Sequence, residues 1–242
     1  MSDIIYGRNP VMEALEGDIK IESLMIQEGL EGSIKKIIVK ARDANLRIKY
    51  AGKRELDHIT DSNHQGVIAF IETFNYSSVE DILSRADSLG EPPFIIILDG
   101  MEDPHNLGAI TRTAEAAGSH GIIIPRNRSA TVTETVVKTS AGAVFHIPVA
   151  RVTNLVKTIT EIKKKGLWVY GLDMDGTDFR KEDISGGVAL VIGSEGNGLS
   201  RLVKEKCDVI ISIPMYGKIN SLNASNAAAV IMYEVIRQRD DF

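Results

Sequence analysis

Six short, almost uninterrupted apolar runs mark the later two-thirds of the chain: FIIILDG (94–100), GIIIP (121–125), FHIPV (145–149), LWVYGLD (167–173), VALVIG (188–193) and VIISIPM (209–215). They lack the in-out alternation of a half-exposed strand and match strands buried on both faces of a parallel sheet. With helical segments or loops between them, they predict an open α/β sheet covered by helices on both sides. Before residue 75 the pattern is a helix around Pro10 to Leu15, strand-like IESLMIQ (21–27), a helix over 34–45, strand-like RIKYA (47–51), a short helix at RELDHI (54–59) and the strand GVIAFIE (66–72). That is a small α/β unit. Between the two lies TFNYSSVEDILSRADSLGEPP (73–93), which has no continuous apolar strand and ends in Pro92-Pro93. It predicts a linker carrying a short helix, with Ser77 and Glu80 at capping-box spacing before Ile82 and Leu83. The expected division is residues 1–75, a linker over 76–93, and a larger domain over 94–242.

The chain has 242 residues, enough for well-buried cores, with the 43% hydrophobic and 25% charged content of a globular protein. The N-terminus, MSDIIYGRNP, has no basic segment leading into an apolar core, and no apolar run approaches the roughly 20 residues of a membrane span. One cysteine and five scattered histidines provide neither a disulfide framework nor a recognisable metal-ligand spacing. The cytoplasm is the expected compartment, and no metal is expected.

In open α/β sheets ligands bind beyond the carboxyl ends of strands, and three strand-to-loop junctions here are rich in polar groups. The first, ILDGMEDPHNLGAITRTAEAAG (97–118), predicts a helix started by Pro104, buried through Leu107, Ile110, Ala114 and Ala117, and ended by Gly118. Arg112 lies four residues after Gly108, which leaves the preceding turn empty, so its guanidinium is expected against the loop of Asp99 to His105; a surface pair with Glu115 is the simpler alternative. The second, ALVIGSEGNGLSRL (189–202), has glycines at 193, 196 and 198 between a strand and a helix, but it is neither a Walker loop nor a dinucleotide fingerprint. Glu195 is informative there, since a carboxylate beside backbone donors repels phosphate and prefers a hydroxyl, amine or cation. The third, IPMYGKINSLNASNAAAVIMYEV (213–235), carries Asn220, Ser221, Asn223, Ser225 and Asn226 where a single cap would suffice for the helix.

Charge adds one feature. The net charge of −5 gives no general reason to expect nucleic acid. Residues 35–54, however, carry Lys35, Lys36, Lys40, Arg42, Arg47, Lys49, Lys53 and Arg54 against Asp43 alone. This is the footprint of a nucleic-acid-binding face or of a solvated helix-and-loop surface.

Together NLGAITR (106–112), IGSEGNGLS (192–200) and IPMYGKINSLNASNAA (213–228) resemble the three signature motifs of the SpoU family of RNA ribose 2′-O-methyltransferases. YGRNPVMEAL (6–15) is similar to the start of the substrate-binding domain of the members that methylate a guanosine of 23S ribosomal RNA. The resemblance implies an α/β catalytic domain tied in a trefoil knot, S-adenosylmethionine as methyl donor, a homodimer with the site at the interface, and a small ribosomal-protein-like N-terminal domain that binds RNA. By position it implies that Arg112, Asn106, Glu195, Ser221 and Asn223 are catalytic, and that Gly193, Gly196, Ile213 and Leu222 line the methyl-donor pocket. Arg112 is either a general base with a depressed pKa or a charge that positions an RNA phosphate; guanidinium side chains ordinarily stay protonated. The alternatives are the same chemistry on transfer RNA, or an RNA-binding relative without catalysis.

Overall fold

Ile95, Ile96, Ile97 and Leu98 are all fully buried. Successive strand side chains point to opposite faces, so this strand has core on both sides of its sheet. The computed structural model describes residues 4–16, 21–30, 32–71 and 74–240. Glu72, at the end of the expected GVIAFIE strand, and Thr73 lie outside the described residues. The chain divides into two units, Met1–Asn75 and Tyr76–Phe242.

The first unit runs β1 (Ile4–Tyr6), α1 (Arg8–Glu16), β2 (Ile21–Gln27), α2 (Ile34–Asp43), β3 (Arg47–Ala51), α3 (Lys53–Asp57) and β4 (Val67–Ile71). Its sheet has the order β1-β4-β2-β3, antiparallel except for β2 beside β3. Val11 of α1 and Ile34, Ile37 and Ala41 of α2 pack with Leu24, Ile26, Val67 and Ala69 in one core. Leu56 of α3 packs with Met25, Ala51 and Ile68 in a second. β1 was not anticipated: three residues are too few to show a period, and pairing with β4 fixes them.

The second unit continues with α4 (Val79–Leu89), β5 (Phe94–Asp99), α5 (Pro104–Ala116), β6 (Gly121–Pro125), α6 (Glu134–Thr139), β7 (Val149–Val152), α7 (Leu155–Lys164), β8 (Trp168–Asp178), β9 (Val188–Gly193), α8 (Arg201–Lys204), β10 (Val209–Ser212) and α9 (Ala224–Arg239). Its six strands pair in the order β10-β8-β9-β5-β6-β7 and are all parallel, as the apolar runs predict. Five of the runs mark strands as expected, although β8 continues five residues past LWVYGLD, to Asp178. FHIPV does not: Phe145 is exposed in a short 3-10 turn, and β7 starts just beyond Pro148, which has no N–H to give to a ladder.

The stretch expected to be a linker is packed into the second unit. Ile82 and Ala86 of α4 are fully buried, and a Cβ on Gly121 would stand 2.5 Å from Ile82 Cγ1. Gly121 therefore lets α4 lie directly on β6. The capping box is one residue later than the Ser77–Glu80 spacing suggested: Ser78 Oγ accepts from Asp81 N at 3.0 Å, and Asp81 Oδ2 accepts from Ser78 N at 2.7 Å. Ser77 instead forms a bridge to Ala150, and its N–H donates to Val149 O.

His120 locks the opposite, amino-terminal end of the sheet. Its Nδ1 accepts from Phe94 N at 2.9 Å and its Nε2 donates to Glu91 Oε2 at 3.2 Å, with only 1% of the residue exposed. Burial lowers its pKa, more than the nearby Glu91 raises it. The unfolded chain, with histidine near 6.5, therefore binds this proton more readily than the folded one. The stabilisation is complete above that value and is lost as pH falls through the lowered folded-state pKa. Thermal melts should show the melting temperature falling as the pH drops below about 6.5, the ordinary histidine value. His120→Asn, which keeps an acceptor for Phe94 N–H but does not titrate, should make that fall shallower; equal slopes would exclude His120 as its cause.

Candidate active site

The surplus of polar residues before α9 resolves into the two ends of one side chain. Asn223 Oδ1 caps the helix, accepting from Ser225 N at 2.9 Å, from Ser225 Oγ at 2.5 Å and from Asn226 N at 3.4 Å. Its Nδ2 donates to Asn106 Oδ1 at 3.0 Å and also to Glu195 Oε1. Residues from all three sequence segments thus meet at one carboxamide. Asn106 is 5% exposed in the first turn of α5, where Asp103 caps the helix through His105 N. Such a buried amide needs partners, and Asn223 provides one.

Glu195 is set by the tight loop after β9. Ser194 and Gly198 exchange backbone hydrogen bonds at 3.1 and 3.0 Å, closing the loop on itself. A Cβ on Gly193 would stand 2.2 Å from the Gly198 carbonyl carbon, so only glycine permits this approach. Gly196 turns the chain at φ +85 with open space around it. The first two segments are joined again where Asp99, at the end of β5, accepts from Ser200 N at 2.7 Å.

A cleft of about 630 Å³ opens beside this junction, beyond the carboxyl ends of β5, β6, β7 and β9. Asp99, Glu102, Asp103 and Glu195 line it with Arg128 as its one lining cation, and Leu202 contributes an apolar wall. An acidic lining disfavours phosphate and suits hydroxyl donors or a cationic group. Arg128, at φ +53, and Leu202 were not anticipated. Both sit on loop or short-helix positions whose orientation only the tertiary fold sets.

Arg112 is not at this cleft. It is exposed on α5 and makes no side-chain hydrogen bond or ion pair among the described residues, with either the 99–105 loop or Glu115. Gly108 serves another purpose than making room for it: a Cβ there would stand 2.6 Å from Thr139 Cβ, so this glycine brings α6 against α5. Ser221 is exposed and likewise without a partner among the described residues, while Leu222 is exposed and Ile213 half-buried.

The basic stretch is partly neutralised within its own unit. Lys40 pairs with Glu16 and Lys49 with Glu55, each at 2.5 Å. Lys35 and Arg47 also have partners, whereas Lys36, Arg42, Lys53 and Arg54 form no ion pair among the described residues. No group of three or more His, Cys, Asp or Glu side chains suited to a metal occurs among the described residues.

The main chain of residues 213–222 forms no backbone–backbone hydrogen bond among the described residues. Its polar groups lie next to exposed Ile219 and Leu222. Unpaired main-chain donors and acceptors with apolar side chains suit a ligand having both an apolar ring and a polar tail.

An open parallel sheet with a carboxylate–amide junction beside a cleft at its strand ends places the chain among α/β proteins that bind ligands beyond the carboxyl ends of their strands. Residues 93–233 match the SpoU rRNA methylase family, and residues 4–77 match the RNA 2′-O ribose methyltransferase substrate-binding family. The chain belongs to the SpoU methylase family. It is 48% identical over 240 residues to a Bacillus subtilis protein named as a TrmH family tRNA/rRNA methyltransferase, covering 98% of this chain and 96% of that one. The SpoU methyltransferase AviRb from Streptomyces viridochromogenes, solved in complex with AdoMet, aligns with a TM-score of 0.64 at 27% identity over 99% of this chain and 91% of its own. An AdoMet-bound rRNA methyltransferase from Sinorhizobium meliloti aligns at 0.59 and 27% identity over 97% and 86%.

The double role of Asn223 separates under substitution. Asn223→Ser, able to cap but too short to reach Asn106 and Glu195, should lower stability by roughly 1 to 3 kcal/mol because the buried Asn106 amide loses this partner. Asn223→Ala, which loses the cap as well, should lower it by about 1 kcal/mol more. Chemical denaturation of the two variants beside the parent reads this directly.

Proposed function

We propose that this protein transfers a methyl group from S-adenosylmethionine to the ribose 2′-hydroxyl of a guanosine in 23S ribosomal RNA. The observation that carries the reading is the Asn106–Asn223–Glu195 junction, where the three motif segments close on one another beside an acidic, hydroxyl-selective cleft. The match of residues 4–77 to a substrate-binding family supports RNA as the substrate, and ribosomal RNA places the enzyme in the cytoplasm. A trefoil knot in the C-terminal segment is what the likeness to the SpoU family implies; there β10 runs parallel to β8 with a register shift at Ile210/Ile211, and a Cβ on Gly176 would stand 2.4 Å from the Ile211 carbonyl carbon.

The methyl donor would be held by the main chain around Gly193, Gly196, Ile213 and Leu222. Bound there, it would supply an activated methyl group on a sulfonium: the ribose oxygen would take the methyl, the C–S electron pair would stay on sulfur, and the hydroxyl proton would leave late through the Glu195 carboxylate to solvent. This chain's part is alignment. Asn223 hydrogen-bonds both Glu195 and Asn106, and Glu195 accepts from a ribose hydroxyl. Holding two reactants in line contributes several kcal/mol without a strong base.

Arg112 makes no side-chain hydrogen bond or ion pair among the described residues. Tyr216, Ile219 and Leu222 before α9, and Val230 and Tyr233 on α9, the helix that packs against α5, are all exposed. So much exposed apolar surface suits a protein interface. We read this face as the contact of a homodimer, in which Arg112 completes the partner's site by holding the RNA phosphate beside the reacting ribose. A guanidinium is permanently charged and forked, which matches that task.

Three outcomes are expected. Arg112→Ala should leave the melting temperature unchanged and lower methyl transfer by about 100-fold or more, while Arg112→Lys keeps measurable activity. Asn223→Ser should also be nearly inactive. Mixed dimers of Arg112→Ala with Asn223→Ser should regain activity, because one site per dimer then has both intact residues; a mixture as inactive as its parents would exclude action across the interface. Mass spectrometry of ribosomal and transfer RNA from cells with and without the gene tests the substrate. A methyl lost from transfer RNA alone would move the assignment there.

A further inference from the structure

The first unit contains a polar cavity of about 730 Å³ that no motif of the methyl-transfer site explains. It lies where the chain enters β4, and its wall is held in an unfavourable backbone conformation. Gln65 has φ +50 and Gly66 φ +79. A non-glycine residue in the left-handed region persists only where its surroundings force it, and such residues concentrate at binding sites. Here the surroundings are specific. Arg8 N donates to Gln65 Oε1 and Arg8 Nε to Gln65 O, each at 3.1 Å. Arg8 Nη1 donates to Ser33 Oγ at 3.0 Å. Behind them His64, 5% exposed, accepts from Gly66 N at Nδ1 and donates from Nε2 to Asp57.

This framework leaves its outward groups unused. The Arg8 guanidinium has five N–H bonds, of which two are engaged, and the Gln65 Nε2 amide donates to nothing among the described residues. Lys53 and Asp61 line the same cavity, each without a partner among the described residues. Two cations with a free amide and a free carboxylate differ from a uniformly basic surface of the kind that binds duplex backbones. RNA sequence is read mainly on unpaired nucleotides, whose base edges need mixed donors and acceptors next to a phosphate contact.

We propose that this cavity takes one unpaired nucleotide of the RNA substrate, its phosphate on Arg8 and Lys53 and its base edge on Gln65 and Asp61. The inference rests on the reading of the chain as an RNA-methylating enzyme and assigns the point at which the first unit recognises single-stranded RNA.

The test uses the full-length protein and fluorescence anisotropy with two labelled probes, an RNA hairpin with an unpaired loop and a blunt duplex of its stem. Gln65→Glu keeps the acceptor for Arg8 N–H and removes the outward amide donor. Lys53→Ala removes a side chain with no partner and preserves the fold if Gln65→Glu does not. Each should weaken hairpin binding by roughly tenfold and duplex binding much less. Lys36→Ala, on the exposed side of α2, should weaken both probes alike. If the pocket variants weaken hairpin and duplex by the same factor, or neither, the nucleotide site is overturned. If the parent protein binds S-adenosylmethionine yet neither binds nor methylates RNA, the underlying functional reading fails instead.

Discussion

A carboxamide has an acceptor at one atom and two donors at the other, whereas a helix cap uses only the acceptor. Asn223 uses both ends. Its oxygen satisfies the first N–H groups of α9, and its nitrogen reaches the start of α5 and the loop after β9. The position of α9 and the orientation of Glu195 are therefore fixed by the same side chain. Serine or aspartate would cap as well, but neither offers two donors from a position locked by the cap. The junction depends in turn on Gly193, whose missing Cβ lets the 193–198 loop fold back to bring Glu195 within reach.

Parallel topology explains why these groups converge. With every strand of the second unit running the same way, the loops after β5, β6, β7 and β9 emerge on one edge. Asp99 and Asn106, Arg128, and Glu195 come from three distant parts of the sequence and still line one cleft. The opposite edge is closed differently. There His120 and Ser119 spend their hydrogen bonds on Phe94 and Gly121 backbone atoms and close the sheet.

The second unit's strands were legible because burial on both faces leaves an unbroken apolar run, a pattern that helices and loops rarely imitate. Glu195 and the Asn and Ser residues around Asn223 stood out because they are more polar than their local structure needs, whereas Asn106 was marked only by the family resemblance. What could not be read is what depends on contacts between distant segments. Gly108 looks like room for Arg112, yet the space is taken by Thr139 of a helix 31 positions on. Ser77 and Ser78 both suit a cap, and pairing of Ser77 with Ala150 decides between them. The basic stretch reads as one cationic face, but Glu16 and Glu55 answer Lys40 and Lys49 from outside the pattern or across a turn. The Arg8–Gln65 lock joins residues 57 apart and left no periodic trace.

Charge distribution then constrains how an RNA could be held. The cleft beside Glu195 is acidic and repels a phosphodiester, even though each nucleotide brings one within a few ångströms of its ribose. A 2′-hydroxyl can enter that cleft only if its phosphate is attracted elsewhere at the same time. Outside the cleft, Arg112 and, in the first unit, Lys36, Arg42, Lys53 and Arg54 are among the cations that form no ion pair among the described residues. An acidic site that must work on a polyanion therefore requires its cations to be separate from its chemistry. That separation is what an unpaired Arg112 and a pinned, half-satisfied Arg8 have in common.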